Sequence, residues 1–426
     1  MNRKILALAV PSIVANITTP LLGLVDTAIV GHMGNAVYIG AIAVGGVMFN
    51  MLYWLFSFLR AGTSGLTAQA CGASDGEGAT LVLWRSLLVA CGVGVLMVLL
   101  QWPLERGLQW FIGSDPATGA LAVEYFSILI YGAPAVLGMY ALSGWFLGMQ
   151  NSRMLMLTSI VINVCNIAVS LLLVYGAGWR IAGVATGSLV AQWVGFAVGL
   201  WLLRRYKVGR PRWREMFRSE QIRRFFKVNF EVMLRTACLI TVTLWFTRTG
   251  ASQGAVVLAV NTLLMQFFLL FSYMMDGFAF AGEALVGKYV GARDFPSLHR
   301  CVRGIFAWGL LLATAFTMMY FLGGEAFLGL LSGDADVIEA SGEYHLWAVV
   351  VPFAGFAAFA WDGVFIGATL TRELLVSMFA AMAAFFIVLY SLFPLMGNHA
   401  LWLAFIVYLV MRGALQTWLF FRSRKF

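Results

Sequence analysis

The chain has 426 residues, of which 61% are hydrophobic and only 11% charged, and it carries a net charge of +9. Too few polar side chains remain to cover a water-soluble domain of this length, so the sequence reads as a polytopic integral membrane protein. The basic residues sit in short gaps between apolar runs, which disfavours a nucleic-acid surface and fits the positive-inside rule.

A membrane crossing needs about 20 apolar residues. On that criterion the chain offers twelve spans: 5–31, 36–59, 80–102, 120–142, 154–176, 181–203, 229–249, 254–282, 304–323, 344–367, 374–396 and 400–421. The first run is too long for a signal-peptide core and contains Asp26, so it reads as a retained span. An even number of crossings puts both termini on one side. The N-terminus, the even-numbered gaps and the C-terminus hold most of the Lys and Arg, whereas the odd-numbered gaps hold Arg106, Arg180 and Arg248. Both termini are therefore expected in the cytoplasm. The gap 204–227 holds ten Lys and Arg against Glu215 and Glu220. It reads as a topology anchor on an anionic leaflet, with a specific partner site as the alternative.

That gap separates two similar halves. At an offset of 219 residues, Gly72, Ala73 and Asp75 match Gly291, Ala292 and Asp294, and Asp115 matches Asp334. Glu124 and Tyr125 match Glu343 and Tyr344, Gly144-x-Phe146-x-Gly148 matches Gly363-x-Phe365-x-Gly367, and Arg153 matches Arg372. Six spans per half give both halves one orientation, the arrangement of parallel transporter repeats. The expected fold is all-α: twelve transmembrane helices in two pseudo-symmetric six-helix bundles. These are residues 1–203 and 228–426, joined by the basic cytoplasmic linker 204–227.

Ionisable groups within spans are costly and usually face a cavity or a partner. In the first span, Asn16, Thr19, Gly23 and Asp26 form a polar stripe at helical spacing. Desolvation disfavours the charged form of a carboxylate there, so Asp26 suits the loading and release of a proton; the alternative is a cap or an interhelical hydrogen bond. Asn163, Asn166 and Ser170 share one face of the fifth span. They either offer oxygens to a cation or water, or bond a neighbouring helix. In the second half, Asp276 and Glu283 share a helix face with Tyr273 and Phe280, a pattern suited to an organic cation. Asp362 is a further acid within a span. Glu231 and Arg235, at i and i+4, read as a structural ion pair. Pro11, Pro20, Pro134, Pro352 and Pro394 lie within spans or at their ends, as bending points of moving helices or as static kinks.

Cys71, Cys91, Cys165, Cys238 and Cys301 are scattered and make no C-x-x-C, so neither a disulfide framework nor a zinc site is expected. Gly62-Thr63-Ser64-Gly65 has the look of an intramembrane serine protease motif, but no His lies deep in a later span to act as base. The P-loop pattern is absent, so ATP does not power the chain directly.

Longer stretches carry a resemblance. They are Pro20-Leu-Leu-Gly-Leu-Val-Asp-Thr-Ala28 with Gly31-His32, Phe58-Leu-Arg-Ala-Gly-Thr-Ser-Gly-Leu-Thr-Ala-Gln69, and Asp276-Gly-Phe-Ala-Phe-Ala-Gly-Glu283. Gly291-Ala-Arg-Asp294, Asp362-Gly-x-Phe-Ile-Gly-Ala-Thr369 and Asn398-His-Ala-Leu-Trp402 complete the set. Over essentially the whole chain these stretches resemble the multidrug and toxic compound extrusion (MATE) family, and most closely its DNA-damage-inducible (DinF-like) branch. The resemblance implies two six-helix bundles in a V shape, and extrusion of cationic or amphipathic compounds against inward proton or sodium flow. It assigns ion coupling to Asp26 and Asn166, with Ser170 where the family usually has an Asp. The family's sixth-span Thr falls on Ser188, and Pro11 becomes the bending proline. In the second half it points to Asp276 and Glu283, then Glu231 and Asp362. The expected protein is an inner-membrane, proton-coupled antiporter rather than an enzyme. It would act as a monomer among membrane lipids, expelling small organic cations, with no cofactor beyond the coupling ion and no nucleic-acid partner. The rivals are a lipid-linked saccharide flippase, which needs a cationic cavity, a twelve-span facilitator, and a membrane protein that transports nothing.

Overall fold

The computed structural model describes residues 1–31, 36–112, 116–206, 208–210, 213–217, 219–331 and 335–423. Asp115, Asp334 and His32 lie outside the described residues. Among the described residues, twelve helices are long and apolar enough to cross a membrane. In chain order they are α1 (Asn2–Val30), α2 (Val37–Gly72), α3 (Gly76–Leu99), α4 (Pro116–Gly148), α5 (Ser152–Gly176) and α6 (Arg180–Tyr206). The second six are α7 (Glu220–Ala251), α8 (Ala255–Gly291), α9 (Phe295–Gly324), α10 (Val337–Gly367), α11 (Thr371–Met396) and α12 (Asn398–Arg422).

Several helices overrun the expected spans. α2 continues beyond residue 59 to Gly72 after a turn at Phe56–Ser57, and α8 extends to Gly291. A hydropathy window registers only the apolar stretch. In α2 the added turns are rich in small residues and buried from Ala61 to Ala68, so helix packing stabilises what hydropathy misses. The linker is also shorter than expected. α6 runs to Tyr206 and α7 begins at Glu220, so both ends of 204–227 are helical.

The repeat extends to backbone geometry. Ser74 and Arg293, 219 residues apart, both take a left-handed conformation, with φ of 57° and 56°. Each sits in a turn closed by matching bonds, Asp75 N to Ala70 O and Asp294 N to Tyr289 O, both 2.9 Å. The following Asp then caps the next helix. Asp75 Oδ1 accepts from the Gly78 amide at 2.7 Å, and Asp294 Oδ1 from Ser297 at 3.1 Å. Bonding to Ser297 holds the half-buried Asp294 carboxyl below the ordinary carboxylate range. Gln150 and Thr369, also 219 apart, form a second such pair, with φ of 65° and 52°.

The Gly-x-Phe-x-Gly motifs explain the helix crossings. A Cβ on Gly144 would run into the Arg60 carbonyl, and one on Gly363 into the Ala279 carbonyl. One turn on, Gly148 and Gly367 lie equally close to α2 and α8. Only glycine lets α4 approach α2, and α10 approach α8, this closely.

The compact units divide just past the linker, between Asn229 and Phe230, and again within α1. One comprises Val14–Asn229; the other comprises Met1–Ile13 with Phe230–Phe426. The domain limits expected from the repeat therefore shift in two places. Residues 1–13 belong with the second half, where Gly304 makes room for Ile5, and Gly277 for Ile13. The linker belongs with the first half, because α3 holds it. Arg85 donates to the carbonyls of Met216 (2.8 Å) and Glu215 (2.7 Å) and to Gln221 Oε1 (2.7 Å). Trp84 donates to the Gly209 carbonyl at 3.0 Å.

Candidate functional site

In the first half, α1, α5 and α6 bring four of the expected side chains together. Asn166 Nδ2 donates to Ser188 Oγ at 2.6 Å, and Ser188 Oγ donates to Asp26 Oδ2 at 3.2 Å. α5 and α6 meet through Gly187, where a Cβ would collide with Ser170 Oγ. Asp26, Asn166, Ser170 and Ser188 are all buried, at 3%, 0%, 0% and 3% exposure. Burial at this level normally demands full hydrogen bonding, yet Asp26 Oδ1, Asn166 Oδ1 and Ser170 Oγ have no partner among the described residues. The arrangement combines one carboxylate with neutral oxygens of unmet bonding capacity, which can receive a proton or a small cation. Asn163 does not join them; it donates to the Ser159 carbonyl of its own helix at 2.8 Å. Pro11 and Pro20 both lie within a continuous α1, and Pro11 is two residues before the boundary between the compact units.

In the second half the acids separate into different environments. Tyr273, Asp276 and Phe280 form a half-buried stripe on α8, and Glu283 is buried one turn beyond it. Asp362 is not open to a cationic ligand. Arg235 and Arg412 (2.7 Å) both donate to its Oδ2, and Gln416 donates to Oδ1 at 2.9 Å. The Glu231–Arg235 pair expected from spacing gives way to separate partners, Thr371 for Glu231 and Asp362 for Arg235. A contact between helices has displaced the local i, i+4 one. Sequence reasoning missed Arg412 and Gln416. The signal was present, since a guanidinium within a span demands a counter-ion, and these two share a face of α12. At the other end of this half, Asn261 and Asn398 exchange amide hydrogen bonds of 2.8 and 2.9 Å, and Trp402 donates to Asn261 at 2.9 Å.

The MatE family model matches residues 11–172 and 228–391, one repeat on each half. The chain belongs to the MatE family. This MATE protein is 37% identical over 409 residues to the DNA damage-inducible protein F of Escherichia coli K12, covering 95% of this chain and 89% of that one. It is 26% identical to a probable multidrug resistance protein NorM of Xanthomonas campestris, covering 89% of this chain and 83% of that one. Among solved structures, the D35N mutant of the Vibrio cholerae MATE transporter VcmN aligns with a TM-score of 0.88 at 15% identity, covering 100% and 98% of the two chains. A MOP superfamily transporter from Pyrococcus furiosus aligns at 0.86 and 20%, covering 100% and 96%. This MATE protein is a multi-pass membrane transporter, a secondary transporter and not an enzyme, and its family handles small organic substrates.

Proposed function

We propose that this transporter is an antiporter of the bacterial inner membrane that expels organic cations and amphipathic compounds, driven by inward proton flow through Asp26. Both termini are cytoplasmic in this reading, and the chain works as a monomer. The observation that carries it is the buried run Asn166–Ser188–Asp26, in which Asp26 Oδ1 has no partner among the described residues. Ser188 serves Oδ2 as donor, which leaves Oδ1 to take the proton. Asn166 Oδ1 and Ser170 Oγ are acceptors for the O–H that forms. Sodium prefers several oxygens including charged ones, and Ser170 offers a neutral hydroxyl where a second carboxylate would serve it better. Proton binding on one side and release after the site is wetted on the other supply the differential affinity that an alternating cycle needs. Bending of α1 at Pro11 and Pro20 is the movement that wets it.

Efflux of a fluorescent organic cation from liposomes tests this. A pH gradient in sodium-free buffer should drive efflux, a sodium gradient alone should not, and Asp26→Asn should abolish the pH-driven flux. Sodium-dependent, pH-insensitive efflux by the wild type would overturn the proton assignment.

A further inference from the structure

α5 does not end as a plain α-helix. Just after Ser170 it widens into a π turn over Leu172–Gly176, closed by a bond from Ala177 N to Leu172 O at 3.2 Å, and Gly178 follows with φ of 71°. π turns are rare and are frequent at functional sites. Tyr175 lies within this one. It follows Asn166 by nine residues, about two and a half α-helical turns, which in an unbroken helix places it on the face opposite Asn166. The wider turn and the length of the side chain bring its hydroxyl round to α1 instead, where it donates to the Ile29 carbonyl at 3.2 Å.

Ile29 lies in the last turn of α1, where backbone carbonyls have no partner within the helix. It is three residues after Asp26, so the bond fixes the turn that carries the carboxylate. The corner that supplies Tyr175 is itself well held. α5 and α6 close on each other where Gly183 meets Val174 and Gly187 meets Ser170. Arg180, at the start of α6, donates to the Tyr38 hydroxyl of α2 at 3.1 Å. Tyr175 is 58% exposed at the end of its span. Its hydroxyl can therefore exchange the carbonyl for water, and the bond can open and re-form without stranding a buried group.

We propose that Tyr175 is a positioning residue for ion coupling: its bond to Ile29 holds the last turn of α1 so that Asp26 stays against Ser188, and the bond breaks when α1 bends. The assignment rests on proton carriage by Asp26 and names the latch of that site. Facing Asp26 are the neutral Asn166 and Ser170 of α5 and Ser188 of α6, and from α4 the titratable Tyr125, also buried.

Tyr175→Phe removes the hydroxyl and keeps the ring. Two readouts on the purified full chain provide the test. Hydrogen–deuterium exchange in peptides covering residues 23–31 should speed up about fivefold, as the loss of one neutral hydrogen bond implies, while α12 peptides keep the wild-type rate. In liposomes the pH midpoint of cation efflux should fall by about 0.7 unit, the same factor in proton affinity. The sign follows because the bond favours the conformation that buries Asp26, and desolvation disfavours the charged form of a carboxylate. Tyr38→Phe removes the Arg180 contact at the same corner but leaves α1 tied, so it should keep the wild-type midpoint. Unchanged exchange in Tyr175→Phe overturns the latch. Faster exchange with an unmoved or raised midpoint, or an equal shift in Tyr38→Phe, leaves Tyr175 a structural tie and overturns the positioning role. If Asp26→Asn retains pH-driven efflux, the proton reading fails instead, and the exchange result still decides whether the latch exists.

Discussion

Replacing Asp362 with Asn preserves shape and removes one charge from a buried cluster. Asp362 receives three donors on its two oxygens: Arg235 and Arg412 on Oδ2, and Gln416 on Oδ1. Losing the charge leaves two guanidiniums within a packed interior without their counter-ion, and breaking a buried pair in this way costs roughly 3–5 kcal/mol. The unit formed by Met1–Ile13 and Phe230–Phe426 is of a size at which each kcal/mol shifts Tm by about 2–4 °C, so the expected drop is roughly 6–20 °C. Tryptophan fluorescence on heating the detergent-solubilised protein measures it. A double-mutant cycle adds a second check: Arg412→Met should cost less in the Asp362→Asn background than in the wild type. A variant with wild-type Tm but lost cation efflux would refute this reasoning. Asp362 would then be a substrate ligand, as its position in the sequence first implied.

Other outcomes follow from features of the fold. Gly144→Ala and Gly363→Ala each force a Cβ against a backbone carbonyl, and each should destabilise by about 1–3 kcal/mol, measured as lower Tm and lower yield. Arg85→Gln should free the linker from α3 and speed limited trypsin cleavage within 204–227 in opened vesicles; unchanged cleavage would show that other contacts hold it. The folded-state shift of Asp294 is downward, so its cap contributes above the ordinary carboxylate value and is lost as pH falls. The stability gap between wild type and Asp294→Asn, which keeps a capping oxygen but removes the charge, should therefore begin to narrow as pH falls through about 4 and close only below the lowered folded-state value, whereas a gap that does not narrow would contradict a role for the charge. On a cysteine-free background, single cysteines at positions 115 and 334 should label in intact cells and one at 215 should not; the reverse pattern inverts the topology.

The number and order of spans were legible because hydrocarbon thickness sets the length of an apolar run, and no tertiary information is needed to read it. The repeat was legible for a different reason: its turns and crossings demand particular residues, such as the glycines facing the Arg60 and Ala279 carbonyls. Asp26, Asn166 and Ser170 were readable as stripes on single helices. Ser188 entered only through family resemblance, because its role depends on α6 meeting both α1 and α5. The Asp362 cluster could not be read from spacing. Its arginines come from helices before and after α10, and pairing between helices is set by packing that spacing alone does not reveal. Glu231 marks the same limit, since its partner Thr371 is supplied by α11.

The grouping of Met1–Ile13 with the second half has a consequence for biosynthesis. These residues are made well before the surfaces they pack on, since Gly277 and Gly304 follow more than half a chain later. At about 5–20 residues per second, the wait is on the order of tens of seconds. For that period the leading turns of α1 lack their native neighbours, while the rest of the same helix, from Val14 onward, can already join the first half. Helix α1 is therefore made before its packing partners and completed only after them. A nascent chain stalled before residue 277 should hold a finished α5–α6 pair together with an α1 whose first turns remain open to proteases, lipids or an insertion chaperone.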